Sequence, residues 1–430
     1  MVELKRRLNR TDALAITLGA VIGVGVFRNT GLVLRGTGGF ASATILWFVM
    51  GLLCFGGASL YSDLTSRVPE AGGPYAYVRV AFGGRAAFIY GWLNAGVSLP
   101  ARQAATVSVS AGVMSQWVPG NPRVLAIALL LVLTVVNLGG VRAGTIAQRI
   151  FTTGKLATIA IVIGLSIALG WHGSTGPVTF ESASFATAVG AVWYTYLGWQ
   201  DVGVLAEELH EPRRDLPFVM FGTVALTMTL YMAIHVAVYL GLGGGAEAYG
   251  TLPALDVARH ALGNTGEGLL RGLLLSSMIG VAAVSVLLRP RIAMALARDG
   301  LGPQPLTRVS SVGTPYVAMG FHVTIALALV STGSYEKLLQ LLSFANGAMG
   351  LFEIASYFVV RRRRPELPTS RLHPWGPIAF LLMSGTLCVL GGVANPMGVL
   401  TSFGIVSAIA IVYAVTRPKL LAPEAAPPMP

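Results

Sequence analysis

Residues 19–27 read Gly19-Ala20-Val21-Ile22-Gly23-Val24-Gly25-Val26-Phe27, inside an apolar stretch that runs from about 12 to 34. A helix crossing hydrocarbon must satisfy its own backbone hydrogen bonds, so two glycines two residues apart in mid-span are costly unless the freed amides and carbonyls meet something useful. Taken alone, the run also reads as close helix packing through small residues. A second stretch breaks that symmetry. Tyr194-Thr195-Tyr196-Leu197-Gly198-Trp199-Gln200-Asp201 places polar groups and a glycine within another apolar span, five helices later. Discontinuous helices at corresponding positions of two halves mark carriers built from inverted repeats, with the ligand held at the breaks. Amides freed at a half-helix N-terminus suit a carboxylate, and freed carbonyls suit an ammonium group. A zwitterion fits both.

The rest of the chain agrees with a bilayer setting. Of 430 residues, 54% are hydrophobic and 11% charged, against about 25% charged in an ordinary soluble domain. Apolar segments lie near 12–34, 42–66, 84–118, 122–140, 147–171, 184–206, 217–242, 266–299, 316–332, 336–361, 375–393 and 397–416. Each is long enough to cross a hydrocarbon layer of about 30 Å, and none alternates as a transmembrane strand would. Twelve helical spans put both termini on one side, and the basic residues test that count. With the N-terminus in the cytoplasm, 22 of the 30 Lys and Arg residues fall in cytoplasmic loops and six outside, leaving Arg102 and Lys155 inside spans. The net charge of +12 is thereby explained by orientation, which removes the main support for a nucleic-acid partner.

Cys54 and Cys388 fall within apolar segments and read as small buried hydrophobes, not a disulfide framework. The basic N-terminus lacks a convincing cleavage site and reads as retained. The expected organisation is a cytoplasmic N-terminus (1–11), repeat one (12–171), repeat two (184–361), two further helices (375–416) and a disordered cytoplasmic tail (417–430) rich in proline and alanine. The longest external loop, from Gly241 to about Glu267, has room for a short helix.

Several motifs resemble the amino acid/polyamine/organocation transporter superfamily, and within it the L-type amino acid transporter-like branch. Helix 1 carries Ile22-Gly23-Val24-Gly25-Val26-Phe27, with valine where that family more often has serine or threonine. The loop after helix 2 reads Pro69-Glu70-Ala71-Gly72-Gly73-Pro74-Tyr75-Ala76-Tyr77, followed by Ala81-Phe82-Gly83. Helix 6 continues into Ala206-Glu207-Glu208 and Pro212-Arg213-Arg214-Asp215-Leu216-Pro217, and helix 10 ends in Arg361 to Arg364 followed by Pro365-Glu366-Leu367-Pro368. The resemblance implies an all-α membrane protein of twelve helices with a five-plus-five inverted repeat of the LeuT-like kind. It also implies amino acid transport by alternating access, with no cofactor and no catalytic residue.

The candidate substrate-binding residues are Ile22, Gly23, Val24 and Gly25, whose backbone amides would take a carboxylate, and Tyr194, Thr195, Leu197 and Gly198, whose carbonyls would take an amino group. The resemblance implies that Tyr194 is an external gate; a packing aromatic is the plainer reading. It also implies that Lys155 stands in place of a sodium ion, tying helix 5 to helix 1 and helix 8. The alternative is a lysine snorkelling to the interface. Ser276, Ser277 and Ser285 could add hydroxyl contacts, Ser285 to Lys155 in particular, or bond to their own helix. Arg102, Asp201 and Glu353 are intramembrane ionisable groups, functional or structural. Arg102, two residues past Leu99-Pro100, and Glu353 depart from the family pattern and put the substrate class in doubt. His235 and His322 stand apart with no ligand spacing, so no metal is expected. Glu207, Glu208, Arg213 and Arg214 form a charge cluster that reads as a topology anchor or an inner gate.

Sodium-independent exchange or facilitated transport of neutral amino acids across the cell (inner) membrane is the leading expectation. A proton-coupled carrier of cationic amino acids or polyamines, with Glu353 or Asp201 facing the substrate, is the second. A channel would need a ring of charges or a carbonyl filter, and an enzyme would need clustered His, Asp or Cys; the alternative of another class is a non-transporting membrane nutrient receptor, which usually carries a sizeable soluble extension. Partners are the amino acid and the lipid bilayer. No cysteine lies between Pro119 and Arg123, so a disulfide-linked accessory subunit is not expected there.

Overall fold

The computed structural model describes residues 8–23, 25–70, 72–139, 141–170, 182–243, 252–333, 343–365 and 370–418, with the side chains of 141–148, 182–184 and 343 also outside the description. Val24, most of the expected N-terminal segment, and the expected tail beyond 418 therefore lie outside the described residues. Among those described the chain is helical and forms no strand.

Each expected apolar segment carries helix. Segment 12–34 becomes α1 (Arg10–Val21) and α2 (Gly25–Thr37), whose axes differ by 47°. The chain continues through α3 (Phe40–Arg67), a short α4 (Pro74–Phe82) and α5 (Gly84–Leu93). A π-helical turn at Asn94–Ser98 leads into α6 (Leu99–Met114), followed by α7 (Pro122–Leu138) and α8 (Val141–Leu169). The second half has α9 (Ser182–Tyr196), a 3-10 helix (Trp199–Glu208), α10 (Pro212–Leu242), α11 (Pro253–Leu288) and α12 (Pro290–Arg298). It ends with α13 (Tyr316–Thr332), α14 (Ser343–Arg363), α15 (Trp375–Ala394) and α16 (Pro396–Thr416).

Two expectations are refined. The stretch read as a loop after helix 2 turns on Gly72 and Gly73, both with positive φ, and then starts α4 at Pro74, a residue whose missing N–H suits a first helical turn. The external loop does carry helix: it opens α11 at Pro253 and bends where Gly263 takes a left-handed φ of 66°.

Among the described residues, six helical stretches are long and apolar enough to cross a bilayer, or seven if α1 and α2 count as one broken span, and two shorter apolar helices accompany them. Length and apolarity thus establish a multi-pass helical membrane protein, without establishing all twelve spans. In the core, α3 runs along α10, α8 along α11 and α2 along α9, while α1 lies against α8, α10 and α11. Outside this core, α15 packs on α3 and α14, and α16 leaves most of its apolar side chains exposed, as a lipid-facing helix would.

At the end of the bundle where the described chain begins, Leu8 pairs with the segment after the 3-10 helix. Its amide donates to the Glu208 carbonyl at 2.9 Å, and the His210 amide donates to the Leu8 carbonyl at 3.2 Å.

Candidate functional site

The first break forms because α1 runs out at Val21. The Ile22 amide still donates to the Leu18 carbonyl at 2.9 Å, but its ψ of 94° leaves the helix, and α2 restarts at Gly25. Of the candidate amides, that of Ile22 is thus engaged in its own helix, while Gly23 and Gly25 flank Val24, which lies outside the description. A β-carbon on Gly25 would stand 3.2 Å from Thr195 Oγ1, tighter than ordinary contact, whereas one on Gly23 would meet nothing nearer than Val281 at 3.8 Å.

The second break faces the first. α9 ends at Tyr196, and Gly198, with a left-handed φ of 124°, turns the chain into the 3-10 helix. The α-carbon of Val21 lies 3.5 Å from where a Gly198 side chain would begin, so the two discontinuities pack directly together. Tyr231 of α10 spans them, its hydroxyl standing 3.1 Å from the Val21 carbonyl oxygen and 3.2 Å from that of Thr195. One hydroxyl proton can serve only one of these acceptors at a time. Asn29 of α2 adds a bond from Nδ2 to Thr195 Oγ1 at 2.8 Å. The Thr195 carbonyl thus already has a partner, and the Gly198 amide donates to Gln200 Oε1 at 3.0 Å.

Lys155 is fully buried, and its Nζ donates to the Gly19 carbonyl at 2.5 Å. A snorkelling lysine would keep its ammonium in water, so the geometry favours the tie to helix 1. Thr152, one turn earlier, donates to the Ala15 carbonyl at 3.0 Å. Lys155 Cε packs against α11 at Gly280, but no hydrogen bond joins Lys155 to Ser285. Ser277 rather than Ser285 approaches helix 1, at 3.4 Å from the Ile22 carbonyl.

A cavity of about 170 Å³ opens beside the second break, with Tyr194 and Leu197 on its wall. Tyr194 is 60% exposed. The same cavity brings together Arg102, Asp201 and Glu353, the three ionisable residues the sequence left without a role, and adds Arg289. Glu353 accepts from Tyr90 Oη at 2.5 Å and from Tyr61 Oη. Arg289 donates through Nη1 to the Leu99 carbonyl at 3.2 Å, while its buried Nε has no partner. Ile22, Gly23, Gly25, Thr195 and Gly198 are not on this wall. Tyr61, Tyr90 and Arg289 escape a sequence reading: the tyrosines look like ordinary core aromatics, and Arg289 looks like one more basic residue at a helix end.

The expected charge cluster lies near the end of the bundle that carries Leu8. Glu208 and Arg291 form a buried ion pair at 2.5 Å, and Glu207 meets Arg298 at 2.8 Å. Arg79 pairs with Glu70 and, at 3.1 Å, with Asp299, which also accepts from Tyr75 Oη at 2.6 Å. Loss of water raises the Glu70 and Asp299 carboxyls above the usual carboxylate range despite the Arg79 guanidinium. Among the described residues, Arg214 pairs with Glu211 alone, at 3.2 Å on the surface.

Comparison with known proteins gives a family match over residues 8–416, to the family described as amino acid permease. The chain is 27% identical over 403 residues to the serine/threonine exchanger SteT of Bacillus subtilis (strain 168), covering 90% of this chain and 91% of that protein. It is 28% identical over 417 residues to the human large neutral amino acids transporter small subunit 2, covering 92% of this chain and 77% of the relative. The mouse Asc-type amino acid transporter 1 matches at 26% over 415 residues, with 92% and 78% covered. One of these names describes its protein as a subunit, so the relatives lend no support to the expectation that an accessory subunit is absent.

Proposed function

The chain belongs to the amino acid permease family, and on that premise we propose that it carries neutral amino acids across a cell membrane by alternating access, through sodium-independent exchange or facilitated transport. The observation that supports this reading is the pair of helix breaks held face to face by Tyr231, at the edge of a cavity. In this reading the substrate carboxylate meets the backbone at Gly23, Val24 and Gly25, where the N-terminus of α2 leaves amides free. Its ammonium meets carbonyls around Tyr194 and Leu197, the Thr195 carbonyl and the Ile22 amide being already engaged, and Tyr194 is the gate. Lys155 supplies the positive charge that a sodium ion would otherwise supply beside helix 1.

The twelve-span, five-plus-five inverted repeat belongs to the same proposal. Its support is the correspondence of a broken first helix, α1 with α2, to a broken sixth, α9 with the 3-10 helix, and the packing of α3 on α10. The distribution of basic residues supports a cytoplasmic position for both termini.

A proton-coupled carrier of cationic amino acids or polyamines would want a net acidic cavity. Here two carboxylates, Asp201 and Glu353, are matched by two arginines, Arg102 and Arg289, which favours a neutral substrate. Counterflow in proteoliposomes preloaded with single amino acids tests the reading. Trans-acceleration by neutral amino acids, unchanged when choline replaces sodium, is the expected result; no counterflow with any amino acid overturns it.

A further inference from the structure

The four charged residues in the cavity are arranged in an uncommon way. Two cations and two anions face one space, yet no ion pair joins any two of them. The Arg102 guanidinium and the Asp201 carboxylate make no hydrogen bond to another described residue, and the Arg289 Nε is buried without a partner. Only Glu353 is well held, by the hydroxyls of Tyr61 and Tyr90. Side chains that donate and side chains that accept therefore line the same small volume. The cavity starts at Tyr194 and Leu197 of the second break and reaches Asn346 and Glu353 of α14. A ligand held by its backbone at the breaks would extend its side chain into it.

Resting on the carrier reading above, we infer that this cavity is the substrate's side-chain subsite, selective for an uncharged side chain that both donates and accepts hydrogen bonds, above all a primary carboxamide. A carboxamide presents two N–H donors and one carbonyl acceptor. The donors meet Asp201 and Glu353, and the acceptor meets Arg102 or Arg289. The cavity's charges sum to zero, so a neutral dipolar group leaves that balance intact. An aliphatic or aromatic side chain of similar size expels the water that solvates these groups and replaces none of its hydrogen bonds, which is the costliest arrangement for buried polar atoms. A carboxylate or ammonium side chain can pair with the groups of one sign only, leaving those of the other sign unmet and the cavity with a net charge. A hydroxyl satisfies the same requirement with fewer bonds.

The test is a substrate-preference ratio measured in proteoliposomes. Vesicles preloaded with unlabelled glutamine receive labelled glutamine, leucine, glutamate or lysine outside. Glutamine should enter at least about tenfold faster than leucine at low concentration, the discrimination that one or two unmet buried hydrogen bonds produce. Glutamate and lysine should lag behind both. In Arg102→Met and Asp201→Asn, the glutamine-to-leucine ratio should fall at least about fivefold. Because the ratio is read within one preparation, a misfolded fraction cancels. For a variant that binds without transporting, thermal-shift titrations with glutamine and leucine give the corresponding ratio. Leucine, glutamate or lysine outrunning glutamine in the parent protein overturns the subsite while leaving the carrier reading intact, as do unchanged ratios in both variants. Absence of counterflow with every amino acid removes the carrier reading itself.

Discussion

Lys155 Nζ donates to the Gly19 carbonyl two residues before α1 ends. An ammonium on a carbonyl at the margin of a helix break fixes the break's position, because that carbonyl belongs to the last intact turn. It also fastens α8 to α1 at a point where α1 must stop and α2 begin at another angle.

Lys155→Ala should act on the two membrane faces unequally. A charge shifts a two-state equilibrium only by interacting differently with each state, and a bias of about 1.4 kcal/mol moves the populations about tenfold. KM measured from the two faces in oriented vesicles should change by several-fold more on one side than on the other. Equal effects on both faces, or none, count against the mechanical role. In the parent protein, uptake with choline in place of sodium should equal uptake in sodium.

Gly25→Leu should abolish binding while Gly25→Ala only weakens it. The alanine methyl would stand 3.2 Å from Thr195 Oγ1, a contact that a small shift relieves. The leucine side chain would fill the space where backbone and ligand approach. Thermal-shift binding alongside an expression profile separates lost affinity from lost folding, and normal affinity in Gly25→Leu would falsify the carboxylate site.

Tyr231→Phe removes a hydroxyl and little else. Stability in detergent should fall by about 1 kcal/mol, the net worth of one buried hydrogen bond. The exchange rate should change more than that loss suggests, since Val21 and Thr195 on opposite breaks lose their shared donor together. A rate equal to that of the parent would show that the bridge is only structural.

Glu208→Gln leaves Arg291 buried with a neutral partner. Breaking a buried ion pair from one side commonly costs about 3–5 kcal/mol, so the melting temperature should drop markedly. The double variant Glu208→Leu with Arg291→Leu should recover part of the loss. A double variant as unstable as the single one would mean that the pair itself, rather than the stranded charge, carries the stability.

Both breaks were legible in the sequence for one physical reason: glycine and polar residues in mid-span contradict the hydrocarbon requirement loudly enough to be seen without neighbours. Arg102, Asp201 and Glu353 announced themselves by the same contradiction, but their convergence did not, since they come from α6, the 3-10 helix and α14. Arg289 was hidden by plausibility, because a basic residue at a helix end satisfies the orientation pattern and invites no second reading. The π turn at Asn94–Ser98 has no residue-type signature. Which hydroxyl would accompany Lys155 was a matter of helix rotation, and the structure brings Ser277, not Ser285, to helix 1. The count of twelve spans came from the apolar segments and was tested by loop charge, while among the described residues helix length and apolarity account for six or seven.

The two hydrogen bonds of Leu8, to Glu208 and from His210, splice the approach to α1 onto the exit from the 3-10 helix. Each of these pieces is one arm of a broken helix and meets a glycine at its break, Gly23 after α1 and Gly198 before the 3-10 helix. Two short arms spliced at their tips form a linkage, like two oars lashed together at the handles. Tilting one alone has to part both rungs of the splice, so the positions of the two arms are coupled. That end of the bundle thereby holds one joined unit rather than two separate arms.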